Sequence, residues 1–170
     1  MIKQSIIKQL DFNYMYAQKL VEDLNESEFS VRPSKGHENH PAFTLGHLAT
    51  SAAMVANKIG HAKVPEPSWA ESFKRNGPGD PRIPSTDLGD FPSKKELLSE
   101  LKKQHDVLKA LLFEMEQDEF EQGVEWRFKT YLPTKLDYIL FFCINHECMH
   151  LSQLAAWRRA MSLSSALAKL

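Results

Sequence analysis

Cysteine is scarce in this chain, two residues in 170, and neither is placed to bridge the other. Cys143 and Cys148 lie five apart in a stretch that reads as helix, where their side chains project in different directions. A disulfide-stapled fold is excluded, and two unpaired thiols fit a reducing, cytosolic compartment. Long apolar runs are also missing. No stretch approaches the roughly 20 residues needed to span a bilayer, so no membrane partner is expected. The opening MIKQSIIKQL lacks the apolar core and small-residue cleavage site of a signal peptide. Charge of one sign is lacking as well: 21 basic residues balance 22 acidic ones to a net −1, with no basic run, which argues against nucleic acid. Strand signals are nearly absent. Only WRFKTYL (126–132) has strand-like composition, and a single strand has nothing to pair with, so it is expected as an extended loop.

Helical periodicity is what the chain does contain. A first helix is expected over about 2–24, with Ile6, Leu10, Tyr14, Ala17, Leu20 and Leu24 recurring at helical spacing. Pro41 suits a first helical position, and a second helix should follow to Gly60 with Leu45, Leu48, Ala52, Val55 and Ile59 as its apolar stripe. Residues 61–92 carry most of the nine prolines and three of the seven glycines and read as one long connection without regular helix. Ser93 with Glu96 forms a capping box that opens a third helix, ending near Gln117. Thr134 with Asp137 opens a fourth, running to about Leu163. Four such helices in residues 1–170 predict a single all-α domain, a four-helix bundle. The long second link can run the length of the bundle, which favours an up-down-down-up order of helices.

Three histidines fall in the apolar segments. His146 and His150 are an i, i+4 pair in ILFFCINHECMHLSQLAAW, so their imidazoles share a helix face and can reach one ion. His47, in PAFTLGHLATSAAM, can supply a third ligand from another helix. The stripe Ile139, Cys143, His146, His150, Leu154 and Trp157 places the pair within the core face. The bland alternative is a pair of core histidines satisfied by hydrogen bonds. A second alternative is peptidase chemistry, because His146-Glu147-Cys148-Met149-His150 matches H-E-x-x-H with Glu147 as general base. That motif takes a further ligand downstream, and the twenty residues after His150 contain no His, Asp or Glu.

His47 in Gly-His-Leu, a long gap, then His146-x-x-x-His150 followed by Ser-Gln-Leu and Arg158-Arg159, resembles the DinB/YfiT-like superfamily over nearly the whole chain. The His-x-x-x-His-x-Gly-Gln pattern of such proteins stands here with Ser152 in the glycine's place, ahead of Gln153. The resemblance implies an up-down-down-up four-helix bundle, often a homodimer, with a divalent metal on His47, His146 and His150. Zinc is the expected ion, with nickel or iron as alternatives. It also implies transfer chemistry on a low-molecular-weight thiol and an electrophilic substrate, as in bacillithiol transferases and mycothiol-dependent maleylpyruvate isomerases. The same three-histidine site would equally suit a metal-dependent hydrolase, or a metal that only stabilises the bundle.

The remaining candidates have milder readings. His105 is expected as a polar boundary residue, a fourth ligand being the alternative. His37 and His40 read as loop or cap positions, and His61 as a helix-end residue. Gln153 is a candidate partner for a metal-bound imidazole or a ligand. Arg158 and Arg159 are expected to complement the last helix dipole, the alternative being capture of a carboxylate on an acidic thiol. Trp69, Phe73 and Trp126 lie in loops and are expected to plug the bundle end, lining a pocket being the alternative. Cys143 and Cys148 are expected in the core, with ligation by Cys148 left open.

Overall fold

The computed structural model describes residues 2–77 and 79–170 and is all-helical, with no strand among the described residues. Helix α1 spans Ile2–Val21, α2 Pro41–Ile59 and α3 Lys94–Glu114. The fourth rod is composite: α4 over Lys135–Leu140, a π-helical stretch over Phe141–His146, and α5 over Glu147–Ala160. The helix starts have local causes. Pro41 opens α2 after His40, whose ring accepts the amide of Phe43. Ser93 and Glu96 cap α3 reciprocally, and Thr134 and Asp137 do the same for α4. Three helices end three residues earlier than periodicity suggests, as helix termini fray.

Sixteen residues of α2 are buried, more than in any other helix. Both α1 and α2 pack against α3 and α5. Among the described residues, the connection between α2 and α3 contains two short 3-10 helices, Ala70–Phe73 and Leu88–Asp90, and no α-helix, as a proline-rich segment should. The stretch 126–132 is compact and turn-rich, not extended. The indole of Trp126 donates to the Leu132 carbonyl at 2.7 Å, and an isolated bridge joins Gly123 to Thr134.

The core divides into two apolar halves. One gathers Ala17, Leu20, Phe43, Leu45, Leu97, Leu101, Leu154 and Trp157. The other gathers Ile6, Leu10, Val55, Ile59, Leu108, Leu112, Ile139 and Cys143. Between them each helix contributes polar side chains: Asn13 from α1, His47, Thr50 and Ser51 from α2, Gln104 and His105 from α3, and His146, Glu147 and His150 from the fourth rod. Burying so many polar groups at one level costs free energy unless they are mutually bonded or bind something.

Arg158 has a structural part in this frame. It is 1% exposed, bonds Asp23 at 2.6 and 2.9 Å, and donates to the carbonyls of Leu20 and Ser164. The expected dipole role is therefore replaced by a clamp between the ends of α1 and α5. The adjacent guanidinium holds the Asp23 carboxyl well below the usual carboxylate range, with Lys169 adding to it. Arg159 is exposed.

Candidate metal centre

The fold brings His47, His146 and His150 together. One ligand-capable atom from each lies within 4.8 Å of the others, and the ring centroids are 4.5 to 5.2 Å apart. His47 comes from the middle of α2, His146 closes the π-helical stretch, and His150 lies one turn into α5.

The π-helical stretch corrects the expected stripe. Periodicity put His146 and His150 in line with Ile139, Cys143, Leu154 and Trp157. The wider turn adds one residue, so the inward positions become Ile139, Cys143, Glu147, Leu151 and Leu154, all buried. The two histidines are carried to the edge of the core face, where both are half-buried. A buried ligand edge that remains reachable is what a reactive centre requires; a ligand pair in mid-core would be sealed.

His47 is oriented from outside its own helix. Its Nδ1 lies 2.8 Å from the Phe73 carbonyl oxygen, so Nδ1–H donates there and Nε2 is left with its lone pair. Phe73 is held by aromatic neighbours, with Phe43, Trp69 and Phe91 centred 6.0, 4.9 and 5.8 Å away. Gly46 makes this seat available, because a Cβ on it would fall 2.1 Å from the Phe73 ring. Phe73 is therefore buried, as expected, but beside His47 along α2 instead of at a bundle end, and its carbonyl is a further polar group at the histidines. Trp69 and Trp126 are only half-buried.

His47 Nε2 faces His146 Nε2 at 3.3 Å. Two lone pairs at that distance repel, so either a proton or a cation must lie between them. Two nitrogens bound at about 2.0–2.1 Å to one tetrahedral ion sit about 3.3–3.4 Å apart. The Nδ1 atoms of His146 and His150 are buried without a hydrogen-bond partner among the described residues. The donor set thus fits a divalent ion: three imidazoles, no protein carboxylate and no thiolate.

Electrostatics keep the rings in the ligand form. Burial lowers His146 to about 4, with the neighbouring His47 adding to it. Burial also lowers His150, to about 2, with His47, His146 and Arg75 contributing. His47 is lowered by burial, against the Phe73 hydrogen bond, which acts in the opposite direction, and Arg75 adds a further lowering. All three are neutral at pH 7.

Glu147 is turned away from this group. Its Oε1 lies 2.7 Å from His105 Nε2, and its Oε2 accepts from Asn13 at 2.8 Å. Asn13 also donates to the Cys143 carbonyl at 3.1 Å and accepts from Gln9 at 2.9 Å. Glu147 is 4% exposed and His105 2%. With both oxygens committed, Glu147 is not a general base for water at the histidines, which removes the peptidase reading. His105 is a core residue and not a boundary one, and it bonds Glu147 instead of joining the three histidines.

The other candidates lie elsewhere. Gln153 is exposed and accepts from Asn39 at 3.1 Å, apart from the imidazoles. His40 caps α2, and its Nε2 meets the Ser85 carbonyl at 2.8 Å. His37 bonds Ser34, and His61 pairs with Glu119. Cys143 is buried, as its place in the core stripe predicts, whereas Cys148 is exposed and outside the cluster, contrary to the expected core position.

Two features of the site carry no sequence signal: the Phe73 carbonyl and Arg75. The Arg75 guanidinium lies 4.0 Å from the centre of the Phe43 ring, which itself stacks on His47 at 5.6 Å and 14°. On another side, Phe142 and Phe141 approach His146 at 5.2 and 6.5 Å, backed by Trp126 and Phe128. Three neutral imidazoles, an aromatic wall and one cation can bind and polarise a small molecule.

No helix among the described residues is long and apolar enough to cross a membrane. No curated protein matches the sequence. A crystal structure of a conserved protein from Enterococcus faecalis superposes with a TM-score of 0.74, covering 94% of this chain and 96% of that chain at 16% identity. That likeness establishes a shared fold. The model of the DinB superfamily matches residues 9–154, which include all three histidines. The chain belongs to the DinB superfamily.

Proposed function

We propose that His47, His146 and His150 hold a divalent metal ion, zinc in the cell, and that the protein is a metal-dependent transferase joining a low-molecular-weight thiol to an electrophilic substrate. The observation that carries the metal reading is the 3.3 Å approach of two Nε2 atoms, one of which is fixed as a lone-pair donor by the Phe73 carbonyl. A divalent ion with an open position supplies Lewis acidity, favouring the thiolate over the thiol near neutral pH. The protein's own share is orientation. Phe73 sets the tautomer and tilt of His47. The Phe141, Phe142 and Trp126 rings form an apolar wall on which an electrophile can lie and from which water is excluded. The absence of an available carboxylate base favours a thiol, which needs no base once ionised, over hydrolysis.

The same reading extends to the frame. Residues 1–170 form one domain with helices in up-down-down-up order. The two halves of the core support this: the start of α1, the ends of α2 and α3 and the start of the fourth rod share one half. A homodimer is proposed through α1 and α5, supported by the exposed Phe12, Met15 and Met149 on those adjacent helices. A cytoplasmic setting is supported by the two free thiols.

Elemental analysis of untagged protein beside its His47→Ala variant tests the centre. The expected result is about one metal ion per chain, lost in the variant. Full occupancy in His47→Ala would overturn the site. Zinc-loaded protein should then accelerate conjugation of cysteine or a related small thiol to a fluorogenic electrophile, and metal-free protein should not.

A further inference from the structure

Arg75 is a half-buried cation with no carboxylate of its own. Among the described residues its guanidinium makes no hydrogen bond or ion pair; its close contact is the Phe43 ring, 4.0 Å away. The acid whose charge reaches it most, Asp80, is already engaged. Asp80 accepts from Arg82 Nε and Nη2 and from the amides of Asn76 and Arg82. Burial lowers the Arg75 pKa, the direction expected of a charge whose desolvation is not compensated.

Its position makes this consequential. Arg75 follows two residues after Phe73, whose carbonyl orients His47, and it sits on the ring that stacks against His47. Its field is felt at His47 and His150. A guanidinium beside three neutral ligands opposes a bound dication, because like charges repel most where water is excluded. The arrangement becomes favourable when an anion lies within reach of both charges. A guanidinium also offers a planar fork of donors that matches a carboxylate.

We propose that Arg75 is the recognition group for a carboxylate carried by the small molecule that enters the histidine site. This rests on the metal reading above and assigns its substrate class: carboxylated thiols or electrophiles in preference to neutral or cationic ones. Arg158, held by Asp23 at the bundle end, leaves that role open.

The test uses cobalt-loaded full-length protein, whose visible absorption reports thiolate ligation directly. 3-Mercaptopropionate, 2-mercaptoethanol and cysteamine are titrated as a charge series into the wild type, Arg75→Met and Arg75→Lys. The methionine variant keeps an apolar stem on Phe43, and the lysine variant keeps the charge without the fork. Wild type should bind the carboxylated thiol more tightly than the neutral one, and the neutral one more tightly than the cationic one. Arg75→Met should reduce the ratio of the first two affinities by roughly 10-fold or more while retaining the cobalt spectrum. Arg75→Lys should lose part of it. An unchanged ratio in Arg75→Met, or no charge preference in the wild type, overturns the role of Arg75 alone. Absence of a cobalt spectrum in wild type overturns the metal reading, and this inference with it.

Discussion

Two histidine clusters lie side by side in the polar layer of this bundle, and their chemistry is opposite. On one side of the fourth rod His105 meets Glu147, which also accepts from Asn13. On the other side, one residue away in sequence, His146 meets His47 and His150 with no acid among them. In the first cluster both carboxylate oxygens are used, and the network joins α1, α3 and α5 into one core. In the second, imidazoles turn toward each other with no acid to pair with; among the described residues the Nδ1 atoms of His146 and His150 have no partner, and neither does His105 Nδ1 in the first. A folded chain tolerates such a cluster when it gains something on binding. The contrast is what supports a binding role for the three histidines and a structural one for His105 with Glu147.

The contrast breaks most sharply at the ligands. His146→Ala or His150→Ala should abolish metal binding, with circular dichroism unchanged and elemental analysis near zero. The same test on His105→Gln should leave occupancy near one per chain; metal loss there would merge the two clusters into a single site. Glu147→Ala is expected to have the largest effect on stability, about 3–5 kcal/mol, since it leaves His105 without a partner in the core and removes one hydrogen bond of Asn13. Glu147→Gln should cost less and retain the metal, as chemical denaturation alongside a zinc titration would show.

Gly46→Ala probes the link between the loop and the ligand. A methyl there must displace the Phe73 ring. The expected cost is about 1–3 kcal/mol from overpacking. Metal affinity should fall roughly 10- to 100-fold as the His47 partner shifts. If stability falls but affinity does not, the Phe73 carbonyl is dispensable.

A smaller effect is expected with pH. His146 and His150 have folded pKa values of about 4 and about 2, below the unfolded value near 6.5. Below pH 6.5 the unfolded chain therefore binds more protons than the folded one, and metal-free stability should fall as pH drops from 6.5 toward 4. His146→Phe should flatten that slope in denaturation curves measured across the window.

Much of this was legible in the chain. The helix starts were local: Pro41, the Ser93–Glu96 box and the Thr134–Asp137 box act within a few residues of themselves. The three histidines stood out because an i, i+4 pair on an apolar face is chemically uncommon. The stripe of the fourth helix was misread because a π turn leaves no periodic mark of its own, and the one-residue shift moved Glu147 inward and the histidines to the edge. The Arg158 clamp leaves no local mark because its acid, Asp23, lies 135 residues away in sequence.

Composition and periodicity thus determined, without any coordinates, that the chain is helical and that His47, His146 and His150 are the residues to watch. The tertiary structure alone decided which nitrogen of His47 is free, that Glu147 belongs to the core, and that Arg75 stands beside the site. The physical reason is range. Helix signals act over three or four residues, whereas the Phe73 carbonyl reaches His47 across 26 positions and His105 reaches Glu147 across 42. A backbone carbonyl is present at every residue, so nothing in the sequence distinguishes the one that the fold aims at His47.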